Sequence, residues 1–396
     1  MLILAAGMAI DVESWYVQEH RLQLAADAGA VSAARLLTNA QATTANYQAA
    51  AQVDAQGATG SASIGTPVWP PTVTVNGTSS ITVTITSTAN LFFTQTIPGF
   101  TVPLRASATA GIIQTAAPCI LATSQSAGDA LLVHDGGKID ATGCSVVSDS
   151  SSSSAIDVYG GAQVSAELVG AVGGSESTNG AHISPAPVSV QPVSDPLSGQ
   201  PTPETGANPQ PTPVCGNGVE PCTFTPGVYP NGISLGNGNQ AVFQPGTYYI
   251  TGPAPGTQYD LTLQGGTQIQ PLNGVTFVIT DPSPAVNIGN GVKLSITAPT
   301  SASTATPYPG LALYIPGQSQ DAAFTIDGGG QITLNGAIYI PNAGFVMNNG
   351  TRIAPPTGGN AELITQTVAV YGGAEFDATN NGGAGAPMIT KVTLLD

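Results

Sequence analysis

One phrase, repeated eight times, constrains this chain more than anything else in it. Short apolar alternations flank a Gly- or Asn-containing turn in LLVHDGGKID, IDVYGGAQV, ISLGNGNQAVF, LTLQGGTQIQ, VNIGNGVKLSI, FTIDGGGQITL, FVMNNGTRI and VAVYGGAEFD. The copies recur at intervals of roughly 20 to 40 residues, the spacing of a repeat architecture. Period-two alternation gives each copy one apolar edge, and Gly or Asn supplies the backbone angles that other residues avoid at the turn. A single copy has no core, whereas stacked copies bury a continuous Val/Ile/Leu ladder. The pattern therefore predicts a parallel β-helix over residues 116–396. Antiparallel hairpins in a sandwich are the competing arrangement, because tight GG and NG turns favour hairpins. The irregular inserts between copies fit more easily as loops leaving a coil.

The repeats are interrupted at residues 184–213, SPAPVSVQPVSDPLSGQPTPETGANPQPTP. This stretch carries no core pattern, and its prolines predict an extended, polyproline-like excursion over the surface.

Ahead of the repeats, residues 1–115 read as a separate domain. The segment from Leu2 to about Ala40 predicts one long helix, with Leu22, Ala26, Ala30, Ala33 and Leu37 near helical period. Small residues on a helix face let neighbouring backbones approach closely. After a Gln/Ala/Thr-rich stretch, TVTVNGTSSITVTIT alternates strictly around Asn76-Gly77, a hairpin signal. LFFTQTIPGF and TVPLRASATAGII are expected to continue it as a further strand pair. The apolar run Leu2–Ile10 is too short for a bilayer span, which needs roughly 20 such residues. Burial between subunits is the expected alternative.

Only 8% of residues are charged, against about 25% in typical soluble proteins. Ser, Thr, Asn and Gln fill the polar surface, as suits an exported protein. The net charge is −16, and the seven basic residues are scattered singly. Phosphate backbones are held by clustered Lys and Arg, so nucleic acid is excluded as a partner. The cysteines form two local pairs, Cys119 with Cys144 and Cys215 with Cys222, read as disulfides of an oxidising compartment. Zinc is the rival reading, but it needs tighter pairs, and His20, His134 and His182 lie in unrelated segments.

A search for chemistry finds little. Glycosidases need two carboxylates across one bond, and the candidates are Asp321, Asp327, Glu362, Glu375 and Asp377. Glu375 and Asp377 share a strand face and are weak calcium candidates, with solvated surface acids as the plainer reading. His134 is placed to reach Asp135. Tyr159, Tyr248, Tyr249, Tyr314, Tyr339 and Tyr371 are candidate aromatic contacts for sugars. No cofactor is expected.

Two stretches resemble the TadG-like (TadE/TadG-like) proteins of bacterial Tad/Flp tight-adherence pilus systems. The first is GMAIDVESWYVQEHRLQLAADAGAVSAARLL. The second is the diffuse pattern PCILATS, GCSVVSDSSSSSAIDV, PGVYPNGISL, QPGTYYI and LNGAIYIPNAGF. The resemblance implies a pilin-like helix and sheet followed by a β-helix. It also implies insertion in the inner membrane before assembly, and then a homo-oligomer or filament, or a place among other pilus subunits, outside the cell. Precursors of that family carry a basic leader and a longer apolar segment, and this chain begins part-way into such a segment. The residues expected to carry assembly are Leu2, Ile3, Leu4, Met8 and Ile10 at the apolar end, with Trp15, Tyr16, Leu22, Ala26, Ala30 and Leu37 as a packing face. Asp11 is expected to pair with a neighbouring subunit's amino terminus or with Arg21. Surface glycans are the candidate adhesion target. A carbohydrate-active or carbohydrate-binding β-helix protein is the alternative function, and a periplasmic assembly factor a third.

Overall fold

The computed structural model describes residues 2–38, 42–59, 64–77, 79–94, 99–115, 117–203, 209–213, 215, 221–236, 238–289, 291–317, 323–380 and 389–395. The side chains of 2–7, 38, 59, 113–115, 323 and 389–391 are outside that description. The chain is mostly β and forms two compact units: Met1–Gln114 with Thr390–Asp396, and Thr115–Ile389. The last residues thus leave the repeat-bearing segment, which sequence extends to residue 396, and join the first unit.

In the first unit, α1 spans Leu2–Arg35 and α2 spans Thr44–Thr59. Sequence passes over α2, because its buried face is mostly alanine: beside Tyr47, only Ala51 and Ala55 are buried, both fully. Alanine is the best helix former yet gives little periodic contrast. Thr43 caps its start: the Asn46 amide donates to Thr43 Oγ1 at 3.4 Å, and Asn46 Oδ1 accepts the Thr43 amide at 2.8 Å. The helices approach closely at Gly29, where a Cβ would stand 3.0 Å from the Ala51 carbonyl oxygen. Against them lies an antiparallel sheet of β1 (Thr72–Asn76), β2 (Ser80–Thr88) and β3 (Pro103–Thr115), closed by strand Ile389–Leu395. Ile81, Val83 and Ile85 of β2 turn their alternate face into the helices and are fully buried. Of the expected further strand pair, β3 forms; among the described residues of the other stretch, Leu91–Thr94 is not strand, and residues 95–98 lie outside the description.

The second unit is built from parallel pairings. The strands flanking each repeated turn do not pair with each other as hairpins. Each pairs with the equivalent strand of another copy: Leu131↔Ile156 before the turn and Lys138↔Gln163 after it. At the turn itself Gly136 has φ 75°, and a Cβ on Gly137 would stand 2.3 Å from the Val370 carbonyl oxygen. Glycine is required at both, for different reasons. Three long ladders result among the described residues, beside a short parallel sheet of Cys222–Phe224, Gln240–Phe243 and Gln268–Ile269. One joins Lys293–Thr297, 331–335, Arg352–Ala354, Glu375–Asp377, 138–141, 163–166 and His182–Ser184. A second joins Ile233–Leu235, Leu261–Leu263, Ala285–Ile288, Ala323–Asp327, 344–347, 367–370, Leu131–Val133, Ile156–Val158 and Ser175–Ser177.

The third ladder fixes the order of stacking, and it is not the order of the sequence. It starts at Gly227–Tyr229 and passes through Gly246–Ile250, Val275–Ile279, Leu311–Tyr314, 337–340 and 361–365. It then returns to the beginning of the unit, to Pro118–Ala122, 145–148, 168–171 and Val188–Ser189. The chain must therefore run from the last rung back to the first, nine steps of about 4.8 Å each. The described residues of the proline-rich segment lie along that journey. Val193 N–H donates to Asp149 Oδ1 at 2.9 Å, the Tyr339 hydroxyl donates to Asp195 Oδ2 at 2.7 Å, and Pro209 bridges Val228.

This segment is a strap rather than a free surface excursion. Its Val190, Val193 and Leu197 are buried in one cluster with Leu121, Val147, Val278, Leu311, Tyr339 and Ile364. The third ladder consequently has apolar side chains on both faces: PCILA and VTFVI are buried at every position, whereas KLSIT on the uncovered first ladder alternates. Tyr339→Phe removes the hydroxyl that holds the strap at Asp195. It is expected to destabilise this unit by about 1 kcal/mol, read as a lower urea midpoint with unchanged slope.

Candidate functional site

The first unit presents an apolar surface on the N-terminal half of α1. A 34-residue helix is about 51 Å long, and the unit's apolar core engages it only from Leu22 onward. Before that point Met8 is 59% exposed, Val12 56%, Trp15 38% and Tyr16 71%. Met8, Val12 and Trp15 fall at helical spacing on one face. Beside them the loop after β2 adds Phe92, 64% exposed, with Phe93 and Phe100. Met8, Val12, Trp15, Leu91 and Phe100 enclose a shallow hollow of about 140 Å³.

Asp11 builds this surface. Its carboxylate accepts the backbone N–H groups of Phe92, at 2.7 Å, Phe93, at 3.2 Å, and Thr94, at 2.7 Å, and also the Thr94 hydroxyl. Gln18, about two turns further on, donates to the Asn90 carbonyl and accepts the Asn90 N–H. Burial pushes the Asp11 carboxyl up; the donors of Thr94, Phe92 and Phe93 outweigh it and hold it below its ordinary 3.8. Asp11 is thus satisfied within its own chain, which corrects the expectation that it pairs with a neighbouring amino terminus or with Arg21. It is a positioning residue for Phe92 and Phe93. Asp11→Asn turns an amide N–H toward these donors, so faster hydrogen exchange is expected at Phe92, Phe93 and Thr94. In the wild type the same release is expected only as pH falls below 3.8 and the carboxylate takes a proton.

The residues expected to carry assembly therefore divide. Met8, Ile10, Trp15 and Tyr16 are exposed. Leu22, Ala26 and Ala30 are fully buried in the unit's own core against α2 and β2, and Leu37 packs on the same cluster. The alanine stripe serves close packing inside one chain, not between chains. The side chains of Leu2, Ile3 and Leu4 lie outside the described residues.

In the second unit both cysteine pairs are bridged, Cys119 to Cys144 with Cα atoms 5.9 Å apart and Cys215 to Cys222 at 5.2 Å. The bridges fit an oxidising compartment. Glu375 and Asp377 do not stand ready for calcium. Arg352, one rung away, contacts Glu375 at 3.2 Å and Asp377 at 2.7 Å, and its charge competes for both carboxylates. No group of three or more potential ligands gathers among the described residues. Asp327 accepts from Asn349, and Asp321 lies outside the described residues. His134 is stacked between Tyr371 and Tyr159, with ring centres 4.6 and 5.0 Å away, and touches Asp135. Tyr248, Tyr314 and Tyr339 are core residues, not sugar contacts.

One acid stands apart. Glu362 is 7% exposed and lines a cleft of about 500 Å³ between the strap and the third ladder. Among the described residues no hydrogen bond or ion pair reaches its carboxyl. Burial without a partner pushes it up to about 7. The lining holds Asn335, Asn360, Thr297 and Thr300 among prolines and small apolar residues, with no Lys, Arg or His and no second carboxylate. A strand reading AELITQ already sets a charged residue among apolar neighbours. What sequence could not show is that the strap roofs it.

Among the described residues no helix is long and apolar enough to cross a membrane. Compared with models of protein families, with curated proteins and with solved structures, the chain matches none of them.

Proposed function

We propose that this chain is an exported structural subunit of a surface assembly, similar to the TadG-like proteins of tight-adherence pili. Its first unit serves as the pilin-like assembly module, and its second, read as a parallel β-helix, is displayed outward. The observation that carries this reading is the apolar stripe Met8, Val12 and Trp15 with Phe92, Phe93 and Phe100. Monomeric proteins rarely leave such a patch uncovered. The occupant is a second copy of the same helix region or an equivalent subunit, because the sequence ahead of the stripe, LILAAG, is apolar as well.

An enzyme of the two-carboxylate type is less well supported. Glu362 has no partner carboxylate in its cleft, and Arg352 engages the later acids. The test is mechanical shearing of cells that export the protein, with detection by antibody to the second unit. Recovery in sheared fibres is expected. Retention of all the protein in the periplasmic fraction would replace this reading with that of an assembly factor.

A further inference from the structure

We propose that the Glu362 cleft is a binding site for a hydroxylated ligand carrying a primary ammonium group, of the kind an unacetylated amino-sugar oligomer presents. The inference goes beyond assembly through α1 and does not depend on it.

The chemistry of the cleft selects this class. A carboxyl that is buried with no donor leaves a strong acceptor unused, at the floor of a space large enough for more than one sugar ring. The lining supplies no cation, so the donor must come with the ligand. An ammonium meets this need better than a hydroxyl, because a charge-assisted bond is roughly twice as strong as a neutral one. The net charge of −16 also raises the local concentration of cations. Asn335 Oδ1 is already occupied by the Asn360 N–H at 3.0 Å, which orients the side-chain amide nitrogen as a donor for a ligand hydroxyl. Pro196, Leu197 and Pro309 form the apolar wall on which the C–H face of a sugar ring lies. An anionic ligand is excluded by the same lining.

The titratable groups on the elements packed round the site are Asp195 on the strap, Asp149, which accepts the strap's Val193 N–H, Lys293 on the strand of Thr297, and Tyr249, Tyr308, Tyr314 and Tyr339 beside it. None of them lines the cleft, and Asp195 is engaged by Tyr339. Glu362 is therefore the group that changes protonation on binding. Held near neutrality when empty, it loses its proton to solvent when the ammonium arrives.

The test is titration calorimetry of the full chain with a glucosamine trimer, its N-acetylated counterpart and a glucose trimer, at pH 7 in two buffers of different ionisation enthalpy. The glucosamine trimer is expected to bind at least about tenfold more tightly than either neutral trimer, with a buffer-dependent heat showing proton release. Glu362→Gln keeps the side-chain shape, and a melting point no lower than wild type would show that the fold is kept. It is expected to lose the tenfold preference and the proton release together. Equal affinity for the three trimers would overturn the proposal. So would undiminished binding by Glu362→Gln, which would mark the interaction as diffuse attraction to an acidic surface.

Discussion

Trp15→Glu is expected to weaken self-association of the full chain by at least about 30-fold, the effect of losing one central aromatic contact of about 2 kcal/mol. The same substitution is expected to cost the isolated unit less than about 1 kcal/mol, because Trp15 is 38% exposed and stands ahead of the core. A carboxylate at this point would sit among Met8, Val12 and Phe100, where an apposed apolar surface could not hydrate it. Sedimentation velocity reads the first effect and thermal unfolding the second. Ala26→Glu, on the same helix, is the contrast. Ala26 is fully buried, so the variant is expected to unfold the first unit outright, by more than about 3 kcal/mol. The pair separates assembly surface from core in a way that removal of the helix cannot. Deleting residues 1–37 would also take Leu22, Ala26 and Ala30 from the core and destroy the unit whose assembly is in question.

The second large effect is a pH dependence of the β-rich unit. Glu362, pushed by burial from 4.5 to about 7, binds its proton more tightly folded than unfolded. Its contribution to stability is fully present below 4.5, falls as pH rises from there, and is gone once the pH has passed about 7. The loss across that window is on the order of 3 kcal/mol for this one group. Burial raises Asp260 to about 7 and Asp149 to about 6, which adds slope of the same sign. The unit should therefore resist urea better at pH 5 than at pH 8. Glu362→Gln, which cannot ionise, should be the more stable protein at pH 8 by roughly 2 to 3 kcal/mol and nearly equal at pH 4. Asp11, held below 3.8, acts only in stronger acid and in the opposite sense. A flat profile between pH 5 and 8 would contradict the burial assigned to these carboxyls.

Much of the second unit is legible in its turns. Gly136-Gly137 and its seven counterparts announce a repeated corner, and the alternation on either side announces one buried edge per strand. The strand order is not legible, because the pairing of Pro118–Ala122 with Leu363–Thr365 joins segments more than 240 residues apart. No local pattern records such a choice. The strap is hidden for a related reason: Val190, Val193 and Leu197 lie among prolines with neither helical nor strand period, so only the tertiary structure shows them buried. In α1 the apolar and small residues were visible, but sequence could not divide them into Leu22, Ala26 and Ala30 for the chain's own core and Met8, Val12 and Trp15 for its surface. That division depends on where α2 and β2 end. Asp11 likewise reads as a lone acid at the edge of an apolar run until the loop some 80 residues later supplies its donors.

We propose that the exposed half of α1 is an assembly surface. Electron microscopy of the purified full chain at rising concentration, beside a Met8→Glu/Val12→Glu variant of unchanged melting point, tests it most directly. Ordered oligomers or filaments from the wild type and dispersed particles from the variant are the expected result. Dispersed single particles from both, or equal assembly by both, would contradict the claim.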